Sequence, residues 1–108
     1  MDDTVKRDVA DDRFSKWVRA RDRYTCQRCG AVHAPNSKGL HCAHMFSRGK
    51  QSTRFDPENA CALDYGCHRF LDTHPDLKRE FWITWLGTEA FAALELRSNT
   101  SLKVLRSA

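Results

Sequence analysis

The sequence has no long apolar run. No stretch approaches the roughly 20 apolar residues that a membrane-spanning helix needs, and the opening residues, MDDTVKRDVADDR, lack the apolar core of a signal peptide. These absences argue against a membrane protein or a secreted protein, and they predict a protein kept in a reducing cytosol. The sequence also has no internal repeat and no linker-like segment. We therefore expect one small domain, which a bound metal would help to stabilise.

A complete disulfide framework is also missing. The chain has five cysteines, an odd number, and a cytosolic protein rarely keeps disulfides. Cys26 and Cys29 are separated by two residues, which is the spacing of a zinc knuckle. Metal binding is therefore the better expectation for these thiols.

The chain has no acidic surplus. It contains 18 Lys and Arg residues against 14 Asp and Glu residues, which gives a formal net charge of +4. Such a surplus fits a polyanionic partner, but it fits an ordinary mildly basic domain equally well. Charge alone does not decide between the two.

The spacing of apolar residues predicts an α+β domain. We interpret residues 1–11 as a flexible polar lead, residues 12–97 as one domain and residues 98–108 as a polar tail. Apolar residues at helical spacing predict an amphipathic helix with a basic exterior over residues 12–23. The further predicted elements are a strand over 40–46, a basic loop over 47–56, a turn over 57–59 leading into apolar 60–63, a helix from near Cys67, a helix over 76–86 that Gly87 stops, and a last helix through about Leu96.

Three polar residues follow one another at informative spacing. They are His44, Asn59 and His68, and Cys67 lies beside the last of them. An imidazole with a pKa near 6.5 can take a proton from water at neutral pH, an amide can hold a loop in place, and a second imidazole can bind a metal ion. A base and a metal ligand in one small basic domain are typical of a nuclease.

These residues lie within HCAHMFSRGKQSTRFDPENACALDYGCHRFLDTHP, which is followed by a predicted helix ending in WLG. Over roughly residues 24–87 the chain resembles the HNH endonucleases, and it looks most like small phage-encoded HNH proteins related to phage recombination nucleases. The resemblance implies a ββα-metal core and metal-dependent hydrolysis of DNA, either duplex or branched. It also implies action in the cytoplasm of a bacterial host, with phage or recombination proteins as further partners.

The resemblance assigns a role to each of the three residues. His44 would be the general base, Asn59 would hold it in line by hydrogen bonds across the hairpin, and His68 would bind a divalent metal. Asp72 lies four residues after His68 and projects from the same helical face. It is either a second ligand, whose oxygen suits Mg²⁺ or Mn²⁺, or a solvated helix residue.

The strand side of this metal site departs from the family pattern. Many HNH enzymes have a metal ligand just before the base, and here that position is Ala43. His41 is the nearest replacement, but it lies two residues away, about 6.6 Å along an ideal strand. We therefore expect His41 to bind the metal only if the strand bends or bulges.

The predicted zinc site also departs from the pattern. Many zinc-bearing HNH proteins pair the first Cys-x-x-Cys with a second one, and here Asp64 stands where the first cysteine of that second pair is expected. The site could consist of Cys26, Cys29, Asp64 and Cys67, which is the reading we favour. Alternatively, Cys61 or His33 could complete the site, or these residues could no longer bind zinc.

Four basic residues near the predicted site are candidate phosphate contacts: Arg48, Lys50, Arg54 and Arg69. Such contacts would be independent of base sequence, and the alternative is a solvated basic loop. Two other functions remain open. One is a non-catalytic zinc-binding adaptor for DNA or protein, and the other is a recombination nuclease specific for DNA junctions.

Overall fold

The structure of the protein is a computed structural model, and it describes residues 7–100. Within them the chain forms a small α+β fold with a two-stranded antiparallel sheet and four helices, which confirms the predicted fold class. The elements are α1 (Val9–Arg21), β1 (Leu40–His44), a 3-10 turn (Pro57–Asn59), β2 (Ala60–Asp64), α2 (Tyr65–Asp72), α3 (Pro75–Leu86) and α4 (Thr88–Ser98). No helix among the described residues is both long and apolar enough to cross a membrane.

The hairpin places the two ends of the long 45–59 connection side by side. Strands β1 and β2 pair in an unbroken register that runs from Leu40 opposite Asp64 to His44 opposite Ala60. Strand β1 stops at His44 rather than at Phe46, because the Asn59 side chain takes over the hydrogen bonds of the Phe46 backbone. His44 and Asn59 consequently lie at the same end of the hairpin.

Helix α1 begins earlier than the sequence suggested. Asp8 caps it by accepting a hydrogen bond from the Asp11 N–H, and the Asp11 carboxylate accepts one from the Asp8 N–H in return. Residues 8–11 therefore belong to the folded domain and not to a flexible lead, while residues 1–6 lie outside the described part. The helix ends at Arg21, and Arg23 and Tyr24 then adopt left-handed backbone conformations with φ of 56° and 55°.

The remaining helices follow the predicted pattern with small shifts at their ends. Helix α2 begins at Tyr65 because the Asp64 carboxylate caps it. Pro75 occupies the first turn of α3, and Gly87, with φ of 96°, separates α3 from α4. Helix α4 extends to Ser98, and residues 101–108 of the predicted tail lie outside the described part.

The core joins the hairpin to α2, α3 and α4. Trp82 is fully buried, and its indole N–H donates a 2.9 Å hydrogen bond to the Glu58 carbonyl, which ties α3 to the 3-10 turn before β2. The aromatic residues of α3 and α4 pack into or against this core. Helix α1 packs against both strands. The buried core residues are Cys26, Leu40, Ala43, Cys61, Ala62, Leu63, Cys67, Leu71, Trp82, Phe91 and Leu94.

Candidate functional site

Four side chains converge beside the start of α2. One ligand atom from each of Cys26, Cys29, Asp64 and Cys67 lies within 4.8 Å of the others, and these four residues could hold a metal ion. We call this set the cysteine–aspartate cluster. It joins the turn that follows α1 to the end of β2 and the first turn of α2, so segments far apart in sequence meet at one point.

Backbone hydrogen bonds set the position of the first two thiols. The Cys26 N–H donates to the Ala31 carbonyl, and the Gly30 N–H donates to the Cys26 carbonyl, which closes a tight turn. Gly30 has φ of 80°, a conformation that glycine adopts without strain. The Gln27 N–H donates to the Ala62 carbonyl over 2.9 Å, so the turn is fixed to β2.

Asp64, which stands where a cysteine was expected, has a separate contact for each of its two carboxylate oxygens. One oxygen, Oδ1, accepts the Cys67 N–H at 2.8 Å and caps α2, whereas the other, Oδ2, lies 2.9 Å from the Cys29 sulfur. The hydrogen bond with Asp64 raises the pKa of the Cys29 thiol, and burial raises the pKa of the Cys67 thiol to about 12. A divalent cation would displace the thiol protons and bind all four side chains at once, so the donor set fits a metal.

Neither alternative ligand belongs to the group. The Cys61 side chain is fully buried in the core, where the residue pairs with Ala43 on β1. The His33 ring lies against Gly39. Among the described residues, the cysteine–aspartate cluster is the one group of three or more His, Cys, Asp or Glu residues whose ligand atoms converge in this way.

A second, open site lies along β1. It is a cleft of about 950 Å³, and we call it the histidine cleft because His41, His44 and His68 all line it. Its walls carry six Lys or Arg side chains and one carboxylate, Asp72. They come from α1 and the residue before its cap, from β1 and the loops on either side of it, and from α2 and α3. The six cationic residues are Arg7, Arg19, Lys38, Arg48, Arg69 and Lys78. Such a surface attracts a polyanion.

His44 is held in one tautomer. Its Nε2 lies 3.1 Å from the backbone carbonyl of Arg54. Because a carbonyl can only accept, Nε2 must carry the proton, and Nδ1 keeps its lone pair. Burial, with a smaller contribution from the Arg48 charge, lowers the pKa of His44 to about 4, so the ring is neutral at pH 7. The residue therefore meets the two requirements of a general base, a free lone pair and a neutral resting state.

Asn59 holds the loop rather than the histidine. The side chain is fully buried; its oxygen accepts the Phe46 N–H at 2.8 Å, and its amide donates to the carbonyls of Phe46 and Thr53 at 2.9 and 3.0 Å. It makes no hydrogen bond to His44 within residues 7–100. Asn59 can affect His44 only indirectly, through the backbone. It binds the Thr53 carbonyl, and the next residue, Arg54, provides the carbonyl that binds His44.

His68 has a different partner on each ring nitrogen. Its Nδ1 lies 3.0 Å from Nδ1 of His41, and its Nε2 lies 3.3 Å from an Asp72 oxygen. Two nitrogens that each lie about 2.1 Å from one ion must be within about 4.2 Å of each other, and the two Nδ1 atoms meet this condition. Asp72 binds the opposite nitrogen and also the Lys78 ammonium at 2.9 Å. It is therefore placed to orient His68 as an outer partner rather than to share an ion with it.

His41 reaches His68 without the strand distortion that we expected. Strand β1 keeps a regular register throughout, so it has no bulge. Instead, α2 starts next to the beginning of β1, where the Tyr65 N–H donates to the Gly39 carbonyl at 2.9 Å. Ala43 is fully buried in the core and cannot line the cleft.

The predicted phosphate contacts divide into two pairs. Arg48 and Arg69 line the histidine cleft, whereas Lys50 and Arg54 do not. Lys50 donates to Asn99 at 3.2 Å, away from the cleft. Arg54 is only 7% exposed, and Asp11 binds its guanidinium through both carboxylate oxygens. These contacts do not support the prediction that Arg54 binds phosphate, because its guanidinium is buried and already paired with Asp11.

Sequence reasoning missed part of the cationic wall. The sequence indicates Arg19 only as part of the basic exterior of a helix, and it gives no sign that Lys38 or Lys78 lines a functional cleft. Lys78 reaches Asp72 across the break between α2 and α3, so its role depends on how the two helices pack. No local spacing rule would have indicated it.

The described residues thus present two sites of different chemistry, a cluster of sulfur and oxygen ligands and a cationic cleft with a neutral histidine. The chain matches no protein-family model, no curated protein and no solved structure. Its function must therefore be inferred from the residues themselves.

Proposed function

We propose that the protein is a metal-dependent endonuclease of the HNH type that hydrolyses phosphodiester bonds of DNA. The observation that carries the proposal is the state of His44, a neutral imidazole whose Nε2–H is bound by the Arg54 carbonyl inside a cationic cleft. A neutral base beside a phosphate-attracting surface is the arrangement that phosphodiester hydrolysis needs, because water is a poor nucleophile until a proton is taken from it.

In this mechanism His44 Nδ1 accepts the proton of the attacking water. A pKa of about 4 keeps the ring unprotonated, but it also makes the ring a weak base. A bound phosphodiester would raise that pKa, because its negative charge favours the imidazolium form. Substrate binding would therefore strengthen the base at the step in which it is needed.

The cleft metal would be held by Nδ1 of His41 and Nδ1 of His68, with Asp72 orienting His68 through Nε2. A divalent ion supplies charge neutralisation at the phosphoryl group and at the leaving oxygen. Two imidazole nitrogens suit Mn²⁺ better than Mg²⁺, which prefers oxygen ligands. Of the two metals expected from the sequence, the geometry favours Mn²⁺.

The cationic wall supports DNA as the substrate. Arg48 and Arg69 line the cleft with His44 and His68, so their charges lie where a phosphate backbone would pass. Contacts of this kind position a nucleic acid without reading its bases. We therefore propose binding to duplex or branched DNA with little sequence preference.

The metal of the cysteine–aspartate cluster is, in this proposal, a structural zinc ion. Three sulfurs and one carboxylate oxygen make a four-ligand set, which is the number that zinc takes in structural sites. Arg28 donates to the Cys67 sulfur at 3.4 Å, a hydrogen bond of the kind that supports metal thiolates. The cluster would hold the first turn of α2 in place and thereby the ring of His68.

Nicking of supercoiled plasmid in Mn²⁺ or Mg²⁺ tests the proposal. We expect His44→Ala to reduce the rate by about 100- to 10,000-fold, because the general base is lost. His74→Asn is the matched control, since it removes an exposed imidazole outside the cleft and should nick at the wild-type rate. Both variants should keep a cooperative thermal unfolding transition, which shows that each of them folds.

Two outcomes would remove the proposed mechanism. Equal nicking by wild type and His44→Ala would show that His44 is not the base. Inactivity of the wild type across metals and DNA forms would favour the zinc-binding adaptor instead. Substrates should include a four-way junction and a linear duplex of matched length, since a large preference for the junction would identify a recombination nuclease.

A further inference from the structure

We infer that Asp11, on α1, is a positioning residue for His44 and acts through Arg54. The inference rests on the proposed function, because the position of His44 matters to a reaction only if His44 is the base. Asp11 lies outside the histidine cleft and outside the part of the sequence that resembles HNH enzymes. Three sets of contacts carry the inference.

The first contact is a buried ion pair with two parallel hydrogen bonds. Arg54 Nε donates to Asp11 Oδ1 at 3.0 Å, and Arg54 Nη2 donates to Asp11 Oδ2 at 2.6 Å. The two residues are 7% and 4% exposed, so water does not weaken the pair. A planar guanidinium bound at both ends of a carboxylate has little freedom to rotate. The Arg54 side chain is therefore fixed to α1.

The second contact comes from the same residue. The backbone carbonyl of Arg54 accepts the Nε2–H of His44 at 3.1 Å, and this bond selects the tautomer of the base. The preceding carbonyl, of Thr53, accepts the Asn59 amide. Residues 53 and 54 are thus held from the 3-10 turn before β2 through Asn59 and from α1 through Asp11, and together these anchors set the direction of the Arg54 carbonyl.

The third contact extends the effect to the cleft wall. Arg48 Nη1 lies 3.1 Å from Asp11 Oδ2, and Arg48 lines the cleft beside His44. One carboxylate therefore contacts both ends of the 48–54 segment. Its loss would move the carbonyl that orients the base and the arginine that faces the substrate together.

The direct test is the tautomer of His44, measured from its ring ¹⁵N chemical shifts at neutral pH. The wild type should show the Nε2–H form. In Asp11→Asn the amide offers one oxygen instead of two, so it cannot accept both hydrogen bonds of the Arg54 guanidinium. The Arg54 carbonyl is then no longer fixed toward Nε2 of His44, and we expect a mixture of both tautomers. Glu95→Gln is the matched control: it breaks a bidentate pair with Arg79 away from the cleft and should leave the His44 shifts unchanged.

A second variant separates positioning from folding. Asp11→Leu combined with Arg54→Met removes both charges of the bidentate pair and leaves apolar groups of similar volume, a replacement that buried ion pairs often tolerate. Arg48 also loses its contact with Asp11, but it lines the cleft, so its charge can turn toward water. This double variant should keep its cooperative unfolding transition and still lose the single tautomer. An unchanged single tautomer in both Asp11→Asn and the double variant would overturn the inference.

Kinetics then connects the tautomer to turnover. We expect Asp11→Asn to lower kcat for plasmid nicking by about 100-fold, the size of effect that a small misplacement of a reacting group produces, with Asp11→Glu partly restoring it. Wild-type kcat in a variant with mixed tautomers would contradict a positioning role. If the wild type itself does not nick, the proposed function fails, and the ¹⁵N shifts still show whether Asp11 orients His44.

Discussion

Helix α2 serves two sites that differ in how their ligands meet. Cys67 turns into the cysteine–aspartate cluster, and His68, the next residue, faces the histidine cleft. In the cluster, four ligand atoms converge within 4.8 Å. In the cleft, His41, His68, Asp72 and Lys78 form a chain in which each residue contacts the next. Four converging ligands suit an ion that stays bound permanently. A row of side chains along an open cleft leaves room for an ion and a substrate to enter and leave.

The two sites also depend on different parts of the fold. A metal ion in the cluster would cross-link the turn after α1 to β2 and α2, and it would stabilise a small domain much as a disulfide would. The cleft depends on α1, β1, α2 and α3 and adds little cross-linking of its own. Loss of the cluster should therefore damage the cleft, and loss of a cleft residue should leave the cluster intact.

Removal of the cluster metal should have the largest effect on the molecule. Binding of a structural zinc is worth on the order of 10 kcal/mol, which exceeds the whole stability of many small domains. We expect a strong chelator, or Cys67→Ala, to abolish the cooperative thermal unfolding transition. His68→Ala is the control on the same helix, and it should unfold like the wild type.

Elemental analysis gives this prediction its second measurement. Wild type and His68→Ala should each carry about one zinc per chain, and Asp64→Ala should carry less because a ligand and a helix cap are both lost. Absence of zinc from protein purified without chelators would contradict a structural zinc site. Unchanged zinc content in Asp64→Ala would remove the carboxylate from the ligand set.

Mild acid should destabilise the cleft through His44. Burial is the main reason that the pKa of His44 is lowered from 6.5 to about 4; the charges of Arg48 and Lys78 act in the same direction, and the hydrogen bond to the Arg54 carbonyl and the charge of Asp11 oppose them. Between pH 6.5 and pH 4 the unfolded chain therefore binds a proton that the folded chain does not, and the free energy of unfolding falls as the pH falls. The loss should reach about 3 kcal/mol below pH 4, at 1.36 kcal/mol for each unit of pKa shift.

A difference measurement isolates this contribution, because acid would also release the proposed zinc ion by protonating its thiolate ligands. Denaturant unfolding of wild type and His44→Gln should be followed across this pH range. The stability of the wild type relative to the variant should fall with pH, while the acid response of the cluster is common to both proteins. Parallel curves would mean that His44 is not held neutral by the fold.

The sequence predicted the secondary structure and the ligand residues better than it predicted which side chains contact one another. The helices and strands follow from local signals, namely apolar spacing and turn residues, and the four cluster ligands follow from cysteine spacing together with the resemblance to HNH proteins. The role of Asp11 did not, because its partners Arg48 and Arg54 are brought to it by packing of α1 on the hairpin. The reach of His41 to His68 was missed for the same reason, since distance along a strand says nothing about a helix that crosses its end.

Two basic residues predicted to bind phosphate test whether bound DNA follows the histidine cleft, and here we expect the smallest effect. Arg69 lines it, and Lys50 lies outside it on Asn99. A side chain that neutralises one phosphate contributes about one unit to the slope of log affinity against log salt concentration. Arg69→Ala should therefore reduce that slope by about 1 for a short duplex, and Lys50→Ala should leave it unchanged. If the two variants change the slope equally, the DNA does not follow the histidine cleft, and the positive charge of the chain attracts it without a defined path.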